Sequence, residues 1–165
     1  SPRAMTFAWA RVALASLGLG LLAAPLSAQA GTVREAGLEA VATAADPAVY
    51  TAGLTASVRP SSRTRVALYA GGGVTGEGDG VGRAELVGHF LLNPRSLRPG
   101  LYAGGGLAGE FASGASNGFL VLLVGIESRP GGRGGWFVEA GIGGGARLAA
   151  GYRWRRLPPG WRATR

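Results

Sequence analysis

The chain has 165 residues, of which 47% are apolar and only 16% charged, with 31 Gly and 9 Pro. Its length suits one domain, it is too apolar for a disordered chain, and no Gly-X-Y triplet runs through it, which excludes collagen. Cysteine is absent and His89 is the one histidine, which excludes disulfides, thiolate zinc, cysteine nucleophiles and imidazole metal centres; the net charge of +8 rests on Arg alone, scattered rather than gathered into a nucleic-acid patch.

The first element in chain order is an export signal. From Met5 the chain reads MTFAWAR, then VALASLGLGLLAAPL, then Ser27-Ala28-Gln29-Ala30. A short basic start, an uncharged apolar stretch and small residues at Ala28 and Ala30 predict a signal peptide over 1–30, cleaved after Ala30. A membrane-anchoring helix is the alternative, but Pro25 breaks an apolar stretch already short of the ~20 residues that a span needs. Beyond it the longest clean apolar run is Phe119 to Ile126, which is strand length. If the mature chain enters a membrane it must do so as a closed barrel, because hydrocarbon cannot satisfy an open backbone.

Turn-forming clusters then recur: Asp46-Pro47, Arg59 to Ser62, Gly76 to Gly80, Asn93 to Gly100, Ser113 to Gly118, Arg129 to Gly135 and Gly143 to Gly145. They separate eight segments, predicted as strands near 33–44, 48–58, 64–74, 82–92, 101–111, 119–127, 136–142 and 147–155. Strands of ~10 residues joined by short turns suit an eight-stranded barrel. The domain division is therefore a signal peptide over 1–30, a barrel over 31–156 and a short basic tail over 157–165.

Period-2 alternation supports the strands. In the fourth, Ala84, Leu86, Gly88, Phe90 and Leu92 alternate with Arg83, Glu85, Val87, His89 and Leu91. In the eighth, Leu148, Ala150, Tyr152 and Trp154 alternate with Arg147, Ala149, Gly151 and Arg153. Each strand tends to have one apolar face, while the other carries Glu35, Glu39, Glu85, Glu110, Glu127 and Glu139 with Arg65, Arg83, Arg147 and Arg153. Alternation alone leaves open which face is inside.

Three features favour ions inside and apolar groups outside. Aromatics of the apolar face (Tyr50, Phe90, Phe111, Trp136, Tyr152, Trp154) fall near strand ends, the position of interfacial girdles. The charged face is also rich in Gly and Ala, as the narrow interior of a small barrel demands. The even turns hold Arg59, Arg63, Arg95, Arg98, Arg129 and Arg133, whereas the odd turns hold Asp46, Glu77 and Asp79. Alternate turns of a meander share one end, so one end is basic, and the chain terminus would make it periplasmic.

There is an internal echo. Leu68-Tyr69-Ala70-Gly71-Gly72-Gly73-Val74 recurs as Leu101-Tyr102-Ala103-Gly104-Gly105-Gly106-Leu107, with a weaker copy at Glu139 to Gly143. The echo marks odd strands, so the repeated unit is a hairpin. Over about 31–156 the chain resembles the small eight-stranded outer-membrane barrels of the outer membrane protein A and X type. The likeness rests on the exported start, the YAGGG-type strands and Arg147 to Trp154. That last segment is similar to the C-terminal signal read by the barrel-assembly machinery (polar, x, Gly, x, x, aromatic, x, aromatic), with Ala149 in the Gly position and a tail, Arg155 to Arg165, after the aromatic.

The resemblance implies an all-β, antiparallel up-and-down transmembrane barrel with a plugged lumen, in which Glu85, Glu110 or Glu139 pair with Arg83, Arg147 or Arg153. Rival chemistry is weaker. Gly71-x-Gly73-x-x-Gly76 and Gly104-x-Gly106-x-x-Gly109 match a dinucleotide fingerprint but lack the helix it needs. Glu77 and Asp79 offer too few oxygens for calcium. Ser116-Asn117 with Glu127 is similar to the deacylase element of lipid A-modifying barrels, but Gly114 stands where the base belongs and His89 is expected near the other end. A frayed, solvated end is the expectation for the tail, with contact to anionic headgroups or peptidoglycan as the alternative.

The expectation is a non-enzymatic, monomeric barrel of the bacterial outer membrane with a structural, envelope or surface-interaction role, no cofactor and no metal. Its partners would be outer-membrane lipid, lipopolysaccharide and, during biogenesis, the barrel-assembly machinery. The alternative is a secreted lipocalin-like barrel binding an apolar ligand, which would put Leu86, Leu120, Leu122 and Trp136 inside.

Overall fold

Segments in which side chains alternate in polarity satisfy their backbones only by pairing edge to edge, and eight of them leave no free edge when the last pairs with the first. The computed structural model, which describes residues 32–165, has that arrangement. The strands are β1 (Val33–Ala44), β2 (Val49–Arg59), β3 (Thr64–Thr75), β4 (Gly80–Leu91), β5 (Gly100–Ala112), β6 (Ala115–Glu127), β7 (Gly134–Ile142) and β8 (Ala146–Arg156). Each pairs antiparallel with its sequence neighbours, and β8 closes on β1 from Arg34↔Arg156 to Ala44↔Ala146. The predicted signal peptide and its cleavage site lie outside the described residues.

Strand ends differ from expectation where turn-forming residues take part in strand pairing. The reversal between β5 and β6 needs only Ser113 and Gly114, because Gly114 takes φ 89°, a left-handed conformation open to glycine. Pairing resumes at once through Ala112↔Ala115, Phe111↔Ser116 and Glu110↔Asn117. Gly134 and Gly135 likewise open β7 rather than ending a turn. At the other margin β2 runs through Arg59, which is a strand residue rather than part of a basic rim, and β8 runs one residue past its expected end to Arg156, with Arg155 inside the strand as expected.

The sides of the sheet divide as the inside-out arrangement requires. Leu86 is 51% exposed, Leu120 75%, Leu122 59% and Trp136 47%, the reverse of the lipocalin expectation. Tyr50, Phe90, Phe111, Tyr152 and Trp154 also face outward. Trp136 pairs with Tyr152 close to the end that carries the chain terminus, and Phe90 lies near the same end. Tyr50 and Phe111 lie toward the opposite end. The interior is charged, with an apolar patch along β4, β5 and β6 formed by Val87, Leu91, Tyr102, Ala108, Val121 and Leu123. The sixth strand, apolar on both faces, thus contributes Val121 and Leu123 to the inside and Leu120, Leu122 and Val124 to the outside.

Exposed charges segregate between the two ends. Asp46, Glu77 and Asp79 lie in turns at one end. Arg63, Arg95, Arg98, Arg129 and Arg133 lie in turns at the other, with Arg156, Arg162 and Arg165. The tail does not fray. It folds back on the turn between β4 and β5, where the Leu97 amide donates to the Thr164 carbonyl at 2.8 Å and the Thr164 amide donates to the Arg95 carbonyl at 2.8 Å.

Candidate functional site: the charged barrel interior

Inward positions on a small barrel project toward a common axis, so side chains far apart in sequence meet there. Six glutamates (Glu35, Glu39, Glu85, Glu110, Glu127, Glu139) and six arginines (Arg59, Arg65, Arg83, Arg147, Arg153, Arg155) converge inside this one. The interior set is therefore formally neutral, whereas sequence periodicity alone assigned only four arginines to it.

The ion pairs form two groups. Near the basic end, Glu35 accepts from Arg59 Nε at 2.7 Å, Arg155 Nε at 3.1 Å and the Ser57 hydroxyl at 2.9 Å, and forms an ion pair with Arg65, whose Nε stands 2.9 Å away. Both oxygens of Glu127 accept from Arg65 Nη2 at 2.8 Å, and Arg155 Nη2 donates to it at 2.6 Å. This group has three arginines to two glutamates. The buried Arg59 spends its remaining Nη1 donors on the Pro94 and Pro130 carbonyls, each at 3.1 Å, which ties two turns to the barrel mouth.

Deeper in the barrel, Glu139 accepts from Arg147 Nη1 at 2.9 Å, Arg153 Nη2 at 3.0 Å and the Tyr102 hydroxyl at 2.8 Å. Glu85 accepts from Arg83 Nε at 2.6 Å and Arg147 Nη2 at 3.0 Å, and Glu39 accepts from Arg147 Nη2 at 2.9 Å. Arg83 also pairs with Glu110 and donates to the Thr43 hydroxyl at 3.2 Å and the Gly143 carbonyl at 3.1 Å. Here four glutamates meet three arginines. Arg153 links the groups, standing 3.8 Å from Glu127 and stacked 3.5 Å above the centroid of the Phe137 ring. The expected partners therefore do meet: Glu85 with Arg83 and Arg147, Glu110 with Arg83, and Glu139 with Arg147 and Arg153.

Such a set can fill space and cancel charge. A cavity lined by Glu39, Tyr69, Glu85, His89, Glu139 and Arg147 measures about 10 Å³. That is roughly the volume one water molecule needs. His89 is buried there, edge-on to Tyr102 at 5.3 Å, with Nε2 3.7 Å from Glu139.

The weaker chemical candidates do not assemble. Ser116 and Asn117 are exposed on β6, opposite Phe111 and Glu110. His89 lies opposite Gly104, seven residues away along β5, or roughly 23 Å at ~3.3 Å per residue. Glu127 is engaged by Arg65 and Arg155. Both glycine fingerprints lie along β3 and β5 and their ends, and no helix follows them among the described residues. Glu77 and Asp79 occupy a tight turn in which the Asp79 amide donates to the Thr75 hydroxyl at 3.1 Å.

Two interior arginines escaped sequence reading. Arg59 stands beside Pro60 in a turn-like cluster, and Arg155 was counted with the chain end. A signal was present: Arg59 is in step with Ser57 and Thr55, and Arg155 with Arg153 and Arg147.

No protein-family model matches the chain, and no curated protein matches it in sequence. Solved structures do match the fold. The N-terminal β-barrel domain of Pseudomonas aeruginosa OprF is 11% identical, with a TM-score of 0.56 over 74% of this chain and 97% of that one. Neisserial surface protein A (NspA) is 12% identical, with a TM-score of 0.50 over 74% of this chain and 96% of that one. The chain has the closed eight-stranded antiparallel barrel fold shared with these proteins.

Proposed function

We propose that this protein is an integral barrel of the bacterial outer membrane, monomeric and non-enzymatic, with a structural or envelope role and a lumen plugged by its own ion pairs. One observation carries the proposal: leucines and aromatics cover the outer wall, while twelve charged side chains are enclosed by the strands. In water this would expose a continuous apolar surface far larger than the few hundred Å² of an ordinary monomer. In hydrocarbon the arrangement is favourable, since closure of β8 on β1 leaves no edge strand and the ions neutralise one another away from lipid. The OprF domain and NspA, alike in fold, support the same setting.

Outer-membrane lipid and lipopolysaccharide are then the immediate partners, with the basic end on the periplasmic side. Tyr152 and Trp154 face outward on β8 with ring centroids 5.1 Å apart, where a C-terminal assembly signal would present them to the barrel-assembly machinery.

Fractionation of expressing cells tests the location. The protein should pellet with outer membranes, resist carbonate and run as a heat-modifiable band; recovery in a soluble fraction would overturn the proposal. Planar-bilayer recording tests the plug. Insertion without a steady open level is expected, and a stable porin-like current would show that the ion pairs leave a path.

A further inference from the structure

The barrel end that carries the chain terminus is built up beyond the strands into an ordered platform. The Gly131 amide donates to the Ser96 carbonyl at 2.8 Å, joining the turns after β4 and β6. The tail is fastened to both. Trp161 Nε1 donates to the Gly131 carbonyl at 3.1 Å, and the Arg95 guanidinium lies 5.3 Å above the Trp161 ring. From inside the barrel, Arg59 holds the Pro94 and Pro130 carbonyls of the same two turns.

Between this platform and the turn after β2 lies a cleft of about 360 Å³. Its size falls in the ~300–1,000 Å³ range of small-molecule sites. Ser61 and Ser62 line one side, Arg95, Trp161 and Arg162 line the other, and Pro158 and Pro159 add apolar surface. No acidic residue lines it. The exposed acids Asp46, Glu77 and Asp79 all lie at the opposite end of the barrel.

We propose that this cleft is a binding site for a small anionic ligand, with a phosphoryl or carboxylate group held between Arg95 and Arg162 and the rest of the molecule against Trp161 and the prolines. Guanidinium groups donate in a planar fork matched to such oxyanions. A stacked indole supplies flat apolar contact. The cleft also reaches Val33 and Arg59, which point to the barrel axis rather than to the outer wall, and this favours a soluble anion over a headgroup of the surrounding leaflet.

The test follows the Trp161 indole N–H and the backbone amides of 60–63 and 158–162 by NMR, with the full chain in a nonionic maltoside. Sodium pyrophosphate is titrated at constant ionic strength. Saturable shifts confined to these signals are expected. Arg95→Gln with Arg162→Gln should weaken binding about tenfold or more, as loss of charge-assisted hydrogen bonds requires. Arg98→Gln with Arg133→Gln removes the same charge from the same end outside the cleft and should change affinity less than about twofold.

Loss of Arg95 could release the tail, so the ligand-free Trp161 signal reports docking, and Arg162→Gln alone, which keeps the stack, should still weaken binding. Shifts that do not saturate, or equal losses in both double variants, would leave only diffuse charge and overturn the site. A second arm compares nanodiscs of pure phosphatidylcholine with nanodiscs containing phosphatidylglycerol. If phosphatidylglycerol moves the same signals and pyrophosphate competes, the site stands with a lipid headgroup as the source of the anion. If neither probe moves them, it fails. The detergent arm is independent of which membrane the barrel occupies.

Discussion

Glu139 is the residue on which the deeper interior group turns. It accepts from Arg147, Arg153 and Tyr102. Without it, Arg153 keeps one carboxylate, Glu127 at 3.8 Å, beside its stacking on the Phe137 ring. Removing one partner of a buried pair leaves an uncompensated charge and costs ~3–5 kcal/mol. Glu139→Ala should therefore unfold at clearly lower urea in phospholipid vesicles, followed by loss of the fast-migrating gel band. The combined change Glu139→Leu with Arg153→Met should recover much of the loss, because no lone charge remains. If the single variant is as stable as the parent, the interior pairs are not what holds this region. The participation of Glu139 was legible from its place on the charged face. The arginines from which its partners come were legible too, but not how each is shared: Arg147 also reaches Glu39 across 108 residues of sequence, and only barrel closure brings those two together.

At the scale of the strand, the YAGGG echo in β3 and β5 has a steric cause. Tyr69 and Tyr102 are buried in the lumen, and the Tyr69 hydroxyl lies 2.2 Å from where a Cβ on Gly71 would stand. The ring lies over the bare backbone two residues ahead. On β5 the ring turns instead toward β6, where the Tyr102 ring lies 2.4 Å from a Cβ position on Gly125. The last glycine of each triplet meets the neighbouring strand: a Cβ on Gly106 would come 2.0 Å from the Leu86 carbonyl oxygen. Gly72, in the middle of its triplet, faces outward, and a Cβ there would meet nothing nearer than 3.8 Å. Gly106→Ala should therefore destabilise by ~2–3 kcal/mol or more through forced backbone displacement. Gly72→Ala should be neutral, or stabilise by ~0.5 kcal/mol through lost chain entropy in the unfolded state. Urea titrations of the two variants side by side check the contrast, and equal effects would contradict the register. The repeat itself was readable in the chain, but the different jobs of its glycines depend on which strand lies alongside.

Over the whole molecule, charge is graded along the barrel axis. The basic end carries the exposed arginines and the arginine-richer interior group, while the opposite end carries the exposed acids and lies nearer the glutamate-richer group. The outer wall between them is apolar, and this is where a membrane and an aqueous setting predict opposite results. Leu86 lies midway along β4, paired with Leu68 and Leu107 on its neighbours. Leu86→Arg at the centre of a bilayer should cost ~2–4 kcal/mol. At a water-exposed site the same change should fall within ~0.5 kcal/mol. Equilibrium unfolding in lipid vesicles decides between them, and a negligible effect would count against a hydrocarbon-facing wall.

The sequence by itself determined the number of strands, their approximate limits, the antiparallel meander and, for most strand positions, the face a side chain takes. These follow from period-2 polarity and turn chemistry, which act over a few residues and need no knowledge of distant partners. It also showed the inside-out sense, because aromatics near strand ends and small residues on the charged face are local facts. Only the tertiary structure decided which ions pair, that Arg59 and Arg155 complete a neutral interior, and that the tail docks across two turns. Those outcomes depend on strand stagger, on the depth at which each side chain meets the axis and on turn shape, and these exist only once β8 has closed on β1.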